Sequence, residues 1–298
     1  MATVGVVGLG HMGLPLALCL RDAGFSVVTW SRGAGSRDAA AAEGLTVLAS
    51  PAEVATAVRA SSGVVITSLP AGPEVRAICL GDDGLLASTG PARLVLLDTS
   101  TCAPADSRAL AAELAGRGAG AVDAPVSGGP TAARAGSLSV MVGGSDEDVA
   151  AARPVLEAVA GRLTVCGPAG SGQVAKACNQ LLVTVGLAAV SEALLLASAL
   201  GADPAQVRQA LLGGYAASRV LDLHGDRMLR RDFAPGGPAR LHLKDIGIIR
   251  DLAAGQVPLE VFEQAAAAIE ELVAGGGGEL DHSAVLTVVE RKAGRELS

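Results

Sequence analysis

Three short stretches of this sequence combine reactive side chains with glycines in patterns that can do chemistry. In Gly172-Gln173-Val174-Ala175-Lys176-Ala177-Cys178-Asn179, Lys176 and Asn179 stand three residues apart. On a helix both project from one face, which sets an ammonium beside an amide. In Asp123-Ala124-Pro125-Val126-Ser127-Gly128-Gly129, the paired glycines let an anion approach the main chain. The N–H groups of Ser127, Gly128 and Gly129, with the Ser127 hydroxyl, can then hold a carboxylate. The third stretch, Gly8-Leu9-Gly10-His11-Met12-Gly13, is a G-x-G-x-x-G between a strand-like run and an Ala/Leu-rich helical run. Such glycines permit a tight turn, close approach of a pyrophosphate, and close packing of helix on strand. The helix start also offers unpaired N–H donors to the anion.

These patterns belong to hydride chemistry on a dinucleotide. When hydride attacks an aldehyde carbon, negative charge develops on the carbonyl oxygen and must meet a proton donor. Lys176 is the acid in reach of the glycine loop. Flanked by Ala175 and Ala177 in a closed cleft, its pKa is expected below the ordinary lysine value of about 10.4. The second strand ends in Trp30-Ser31-Arg32. An acidic residue there would accept bonds from a free 2′-hydroxyl, whereas Ser31 leaves room and Arg32 offers a guanidinium to a 2′-phosphate. NADP is therefore favoured, with NAD still possible. The alternative for Arg32 is a solvated loop charge. His11 reads as a variable position of the glycine loop, and His242 and His282 as surface or satisfied core histidines.

The elements that must position these groups fall into two classes. Up to residue 167, short β-branched runs at 4–7, 26–30, 45–48, 64–69, 94–98, 121–125, 138–142 and 163–166 alternate with helical pieces at 12–23, 51–59, 73–79, 104–117 and 147–159. That is the pattern of parallel strands joined by crossover helices. From Gln173 onward the chain reads as helices broken at Gly201, Gly213-Gly214, Pro235, Pro258 and the four-glycine loop 275–278. The fold class expected is α/β: an N-terminal Rossmann-type doubly wound sheet over 1–167, then an all-α domain over 168–298 that begins with a long inter-domain helix. That helix is apolar on nearly every face, so it must be covered on all sides, in part by a second subunit.

Composition narrows the partners. A net charge of −7 and only five aromatic residues besides histidine (one Trp, one Tyr, three Phe) remove both usual handles on nucleic acid. Glu192 lies in the middle of the most apolar stretch, which reads as a buried helix and not a membrane span. The start of the chain shows no basic leader, and the expected location is cytoplasmic. The five cysteines form no CxxC and read as small buried hydrophobes. No His/Cys/Asp/Glu run has metal-ligand spacing, so no metal is expected.

Taken together and in order, the motifs resemble the β-hydroxyacid dehydrogenase family over essentially the whole chain. The second half, with Gly136-Ser137-Leu138-Ser139-Val140-Met141-Val142-Gly143-Gly144, Asn179-Gln180, Ser191-Glu192-Ala193-Leu194, Gln209 to Gly214, His242 with Lys244-Asp245, and Asp281-His282-Ser283-Ala284, is most similar to members that reduce tartronate semialdehyde. The resemblance implies that Lys176 is the catalytic lysine, Ser127, Gly128 and Gly129 the substrate loop, and Asn179 an orienting amide. It implies cofactor contacts at Gly8, Leu9, Gly10, His11, Met12, Gly13, Ser31 and Arg32, at Leu69, Pro70 and Thr101 after later strands, and at Lys244 of the helical domain. The reaction implied is reduction of tartronate semialdehyde to D-glycerate with NADP(H), and the small-residue helix over 173–200, with little polar cover, suggests a homodimer or homotetramer. Two departures stand out. The family's frequent Pro-Gly-Phe is Pro235-Gly236-Gly237 here, which bears on the rim of the substrate pocket, and the acidic residue of NAD-preferring members is Ser31. Siblings acting on 3-hydroxyisobutyrate or threonate are the near alternatives, along with a relative acting on imines, in which another residue would replace the lysine. A non-catalytic dinucleotide-binding interaction module is the alternative of another class, and it would have no need of Lys176.

Overall fold

The computed structural model describes residues 1–88 and 90–298, which form two compact units, residues 1–176 and 177–298. The first holds β1 (Thr3–Val7), α1 (Gly13–Asp22), β2 (Ser26–Trp30), α2 (Ala34–Ala42), β3 (Thr46–Val47), α3 (Pro51–Arg59), β4 (Val64–Thr67), α4 (Gly72–Leu80), β5 (Val95–Asp98), α5 (Pro104–Ala115) and β6 (Gly120–Asp123). It continues with β7 (Val126–Ser127), α6 (Gly129–Arg134), β8 (Leu138–Gly144), α7 (Asp146–Val159), β9 (Ala160–Gly167) and the first turns of α8 (Ser171–Ala199).

The strands join in the order β3-β2-β1-β4-β5-β6-β8-β7, with β9 on β8. From β3 to β6 every pairing is parallel, and the strand order reverses between β1 and β4, where doubly wound sheets bind ligands. Both faces are apolar because neighbouring residues of each strand enter different cores. Val64, Ile66, Val95 and Leu97 pack on one side, Val65 and Leu96 on the other. Beyond β6 the sheet departs from the expected all-parallel pattern, since β8 runs antiparallel to β6 and β7. Cross-strand register aligns Trp30, Val7, Thr67, Asp98 and Asp123 in one row over β2, β1, β4, β5 and β6. The loops that follow this row carry Ser31, Gly8, Leu69 and Thr101, and the chain after Asp123 enters β7, which holds Ser127. Trp30 donates its indole N–H to the Ala49 carbonyl at 3.0 Å and so anchors the end of β2.

Side-chain oxygens cap two of the helix starts. Ser50 accepts from the Glu53 amide ahead of α3, and Ser145, one residue before the acidic run, accepts from the Asp148 amide ahead of α7. Helix α2 is absent from the sequence reading because it buries only Ala40 and so writes no apolar stripe.

The second unit contains the rest of α8, then α9 (Pro204–Leu212), α10 (Gly225–Arg230), α11 (Ala239–Ala253), α12 (Glu260–Leu272) and α13 (Leu286–Ala293). Phe262, Ala266 and Ile269 of α12 share one face and pack with Leu187, Leu194, Ile246, Ile249 and Leu286. In the four-glycine run, Gly276 takes φ +89, which breaks the helix after α12.

The chain divides between Lys176 and Ala177, inside α8 and nine residues past the division at 167 expected from the sequence. The reason is local: the first turn of α8 is bonded to the ends of β5 and β6. By length and hydropathy α8 could cross a membrane. Its Gln173, Lys176, Gln180, Thr184 and Ser191 are nevertheless buried, with hydrogen bonds inside the protein. The expectation that α8 is covered on all faces is not met within one chain, because Leu182 is 68% and Leu196 59% exposed. The reading of all cysteines as buried also needs correction. Cys19, Cys79 and Cys102 are buried, but Cys166 on the solvent-facing strand β9 and Cys178 on α8 are exposed.

Candidate active site

The glycines of the first loop differ in what the protein itself demands of them. Gly8 has φ +94, and a Cβ there would stand 2.3 Å from the Ser68 carbonyl oxygen. Gly13 brings α1 so close to β1 that a Cβ would stand 1.7 Å from the Gly8 oxygen. At Gly10 a Cβ would meet nothing within 4 Å. No packing requires that glycine, and the backbone is open to close approach there. Helix α1 begins without a side-chain cap and without an acidic residue in its first turn, which leaves its positive end for an anion. The loop therefore fits a pyrophosphate, with Leu9, His11 and Met12 filling the positions between the glycines.

At the end of β2 the Ser31 hydroxyl accepts from the Leu9 amide at 3.4 Å, so it braces the glycine loop. Arg32 is exposed. Arg37, which the sequence reading passed over, donates to the carbonyls of Ser31 and Arg32 at 2.8 Å each. Two guanidinium groups thus share this turn. The signal for Arg37 was the first turn of a helix that the sequence pattern did not reveal.

Leu69 donates its amide to the Ser100 hydroxyl at 2.9 Å, which joins the loop of Leu69 and Pro70 to the loop of Thr101. Beneath them Asp98 accepts from the Thr67 hydroxyl at 2.8 Å and the Ser100 amide at 3.0 Å. Burial raises the Asp98 pKa against these hydrogen bonds. Burial also raises that of Asp123, whose carboxylate caps α8 by accepting from the amides of Gly170 at 2.7 Å and Gln173 at 3.0 Å. Gly172 is required in that turn, because a Cβ would stand 2.4 Å from the Met141 oxygen.

Lys176 emerges one turn further along α8. It is 8% exposed, and its Nζ donates to the Val126 carbonyl at 2.9 Å. That places the ammonium at the residue preceding Ser127. Gly128 and Gly129 follow at φ +136 and +71, and only Gly128 is forced by packing, since its Cβ would lie 2.7 Å from Ala132 Cβ. At Gly129 a Cβ would meet nothing. A cation and a glycine turn with room above it can together hold a carboxylate and protonate an oxygen beside it.

The remaining two candidates lie in the helical unit. Asn179 donates to Gln180 Oε1 at 2.9 Å, Gln180 donates to Asp245 Oδ2 at 2.6 Å, and Lys244 Nζ is 3.6 Å from Asp245 Oδ1. Gln180 and Asp245 thus join Asn179 to Lys244 through side chains 65 residues apart in sequence.

The same unit gathers three of the four histidines. His282 contacts His242 at 3.2 Å and His224 at 3.3 Å through its two ring nitrogens, and His242 meets the Thr184 hydroxyl at 2.7 Å. Burial, reinforced by the neighbouring imidazoles, lowers the His282 pKa to about 3. His242 is thus a satisfied core histidine, as its sequence suggested. His224, Asp281 and His282 do approach one another closely enough to suggest a metal site, which linear spacing could not reveal. However, the Asp281 carboxylate already accepts from the amides of Gly236, Gly237 and Ser283 and from the Ser283 hydroxyl, with Arg227 3.6 Å away. The group reads as an internal hydrogen-bond network.

The family model for the NAD-binding domain of 6-phosphogluconate dehydrogenase matches residues 3–167, and that for the NAD-binding region of NADP-dependent 3-hydroxyisobutyrate dehydrogenase matches residues 170–289. The 2-hydroxy-3-oxopropionate reductase of Escherichia coli K12 is 36% identical over 99% of both chains. A probable 3-hydroxyisobutyrate dehydrogenase of Mycobacterium tuberculosis is 35% identical over 98% of this chain and 99% of its own. The structure of the Mycobacterium tuberculosis 3-hydroxyisobutyrate dehydrogenase with L-serine matches with a TM-score of 0.82 at 34% identity, covering 97% of this chain and 99% of that one. With its dinucleotide loop, its Rossmann-type sheet and the helical unit that follows, the chain belongs to the β-hydroxyacid dehydrogenase family of NAD(P)-binding oxidoreductases.

Proposed function

We propose that the protein reduces tartronate semialdehyde to D-glycerate with NADPH, using Lys176 as the general acid. The observation that carries this reading is the buried Lys176 ammonium, 2.9 Å from the Val126 carbonyl and next to Ser127, Gly128 and Gly129. NADPH, when bound, supplies the hydride. The main-chain N–H groups of 127–129 and the Ser127 hydroxyl hold the substrate carboxylate, and Asn179 orients the substrate. Lys176 meets the charge that develops on the carbonyl oxygen and delivers a proton to it.

The NADP preference is supported by Ser31 in place of an acid and by Arg32 and Arg37 on the same turn. Arg32→Ala should raise KM for NADPH several-fold more than KM for NADH, and equal effects would remove the 2′-phosphate argument. The substrate assignment is tested by a panel of small semialdehydes with both cofactors. A second reading, 3-hydroxyisobutyrate dehydrogenase, is favoured by the 35% identity to that relative. Faster reduction of methylmalonate semialdehyde than of tartronate semialdehyde would select it.

The exposed Leu182 and Leu196 on α8 support a homodimer or homotetramer in which a second copy covers that face. Light scattering coupled to size exclusion decides this, and a monomer at micromolar concentration would reject it.

A further inference from the structure

Gln173 occupies the first turn of α8 and is 1% exposed, yet none of the roles above uses it. Its side-chain amide grips the main chain on both sides of Thr101. The Cys102 amide donates to Gln173 Oε1 at 3.1 Å, and Gln173 Nε2 donates to the Ser100 carbonyl at 2.9 Å. Its own amide donates to Asp123 Oδ2 at 3.0 Å. One residue therefore ties the loop after β5 and the end of β6 to the turn that leads into Lys176. The pairing is specific to a carboxamide, since one end must accept and the other must donate. A carboxylate supplies no donor for Ser100, and an apolar chain leaves both buried main-chain groups unpaired.

Lys176 follows Gln173 by three residues, so both lie on neighbouring parts of one helix face. We infer that Gln173 is a positioning residue for hydride transfer: by bracketing Thr101 it fixes the cofactor-side loop relative to the Lys176 ammonium. The inference rests on the reading of Lys176 as the acid and of Thr101 as cofactor-side. Proton donor and hydride donor approach the same carbonyl group, and an error of about 1 Å between them costs on the order of a hundredfold in rate. A single amide that holds both loops removes that freedom before substrate arrives.

The test uses full-length Gln173→Met, close in size but without the hydrogen bonds, in single-turnover reduction of the best substrate of the panel with NADPH and with 4-deuterated NADPH. The expected result is a 10- to 100-fold slower hydride transfer, NADPH binding within about threefold of wild type by nucleotide fluorescence, and a kinetic isotope effect that varies more steeply with temperature. Loss confined to thermal stability, with transfer rate and isotope effect unchanged, overturns the inference while Lys176→Ala remains inactive. If Lys176→Ala itself keeps wild-type turnover, the reading of the acid fails first and the inference falls with it. Should Gln173→Met not fold, Gln173→Glu, which keeps the acceptor for Cys102 and loses the donor for Ser100, carries the same expectations.

Discussion

The two glycine loops on the rim of the sheet do similar work by different means. In the first, two of three glycines are imposed by the protein itself, Gly8 by its φ and by Ser68, Gly13 by the Gly8 oxygen. In the second, Gly128 is imposed by Ala132 and Gly129 by backbone conformation alone. Each loop also keeps one glycine, Gly10 or Gly129, above which a side chain would meet only open space. A glycine that packing requires reports on folding. One that neither packing nor backbone conformation requires, as at Gly10, reports on what the loop binds.

Substitutions can break this distinction or sharpen it. The widest difference between the loops is the lysine that stands at only one of them. Lys176→Ala should lower kcat by roughly 10²- to 10⁴-fold while NADPH affinity, assigned to the other loop, stays near wild type; a steady-state assay with a parallel binding titration reads both. Next in size, Gly13→Ala drives a methyl into main chain and should cost about 3 kcal/mol, visible as a lower Tm of the apoprotein. Gly10→Ala should leave that Tm within about 1 °C of wild type yet weaken NADPH at least tenfold, about 1.4 kcal/mol. A folding defect of Gly13 size at Gly10 would erase the distinction. An effect of similar size on the substrate side is expected at Gly129→Ala, where a positive φ costs an L-residue about 1 to 2 kcal/mol and substrate KM should rise without change in NADPH binding.

What could be read from the sequence follows from how local each signal is. The glycine loop between strand and helix, and the switch from strand to helix patterns, are written in runs of a few residues, and the structure shows them. Gln173 and Arg37 were invisible because each acts on main chain elsewhere, and a hydrogen bond to a carbonyl selects no partner residue type. The two-residue strand β7 and the antiparallel direction of β8 are not legible for a related reason, since pairing direction is set by the connection through α6 and not by strand composition. Gln180 with Asp245, and His224 with His282, meet across 65 and 58 residues, separations that no spacing rule covers. The unit boundary moved into α8 because Asp123 and Gln173 bond its first turn to the sheet, a tie that glycine and proline punctuation does not mark.

Trp30 is the sole tryptophan among 298 residues, and its indole N–H is held by the Ala49 carbonyl immediately before Ser31 and Arg32. The protein therefore carries a built-in optical probe at one defined spot, with no second indole to dilute its emission. With the nucleotide at this edge of the sheet, as proposed, quenching or energy transfer from this side chain would follow its occupancy in real time, without a label and without turnover.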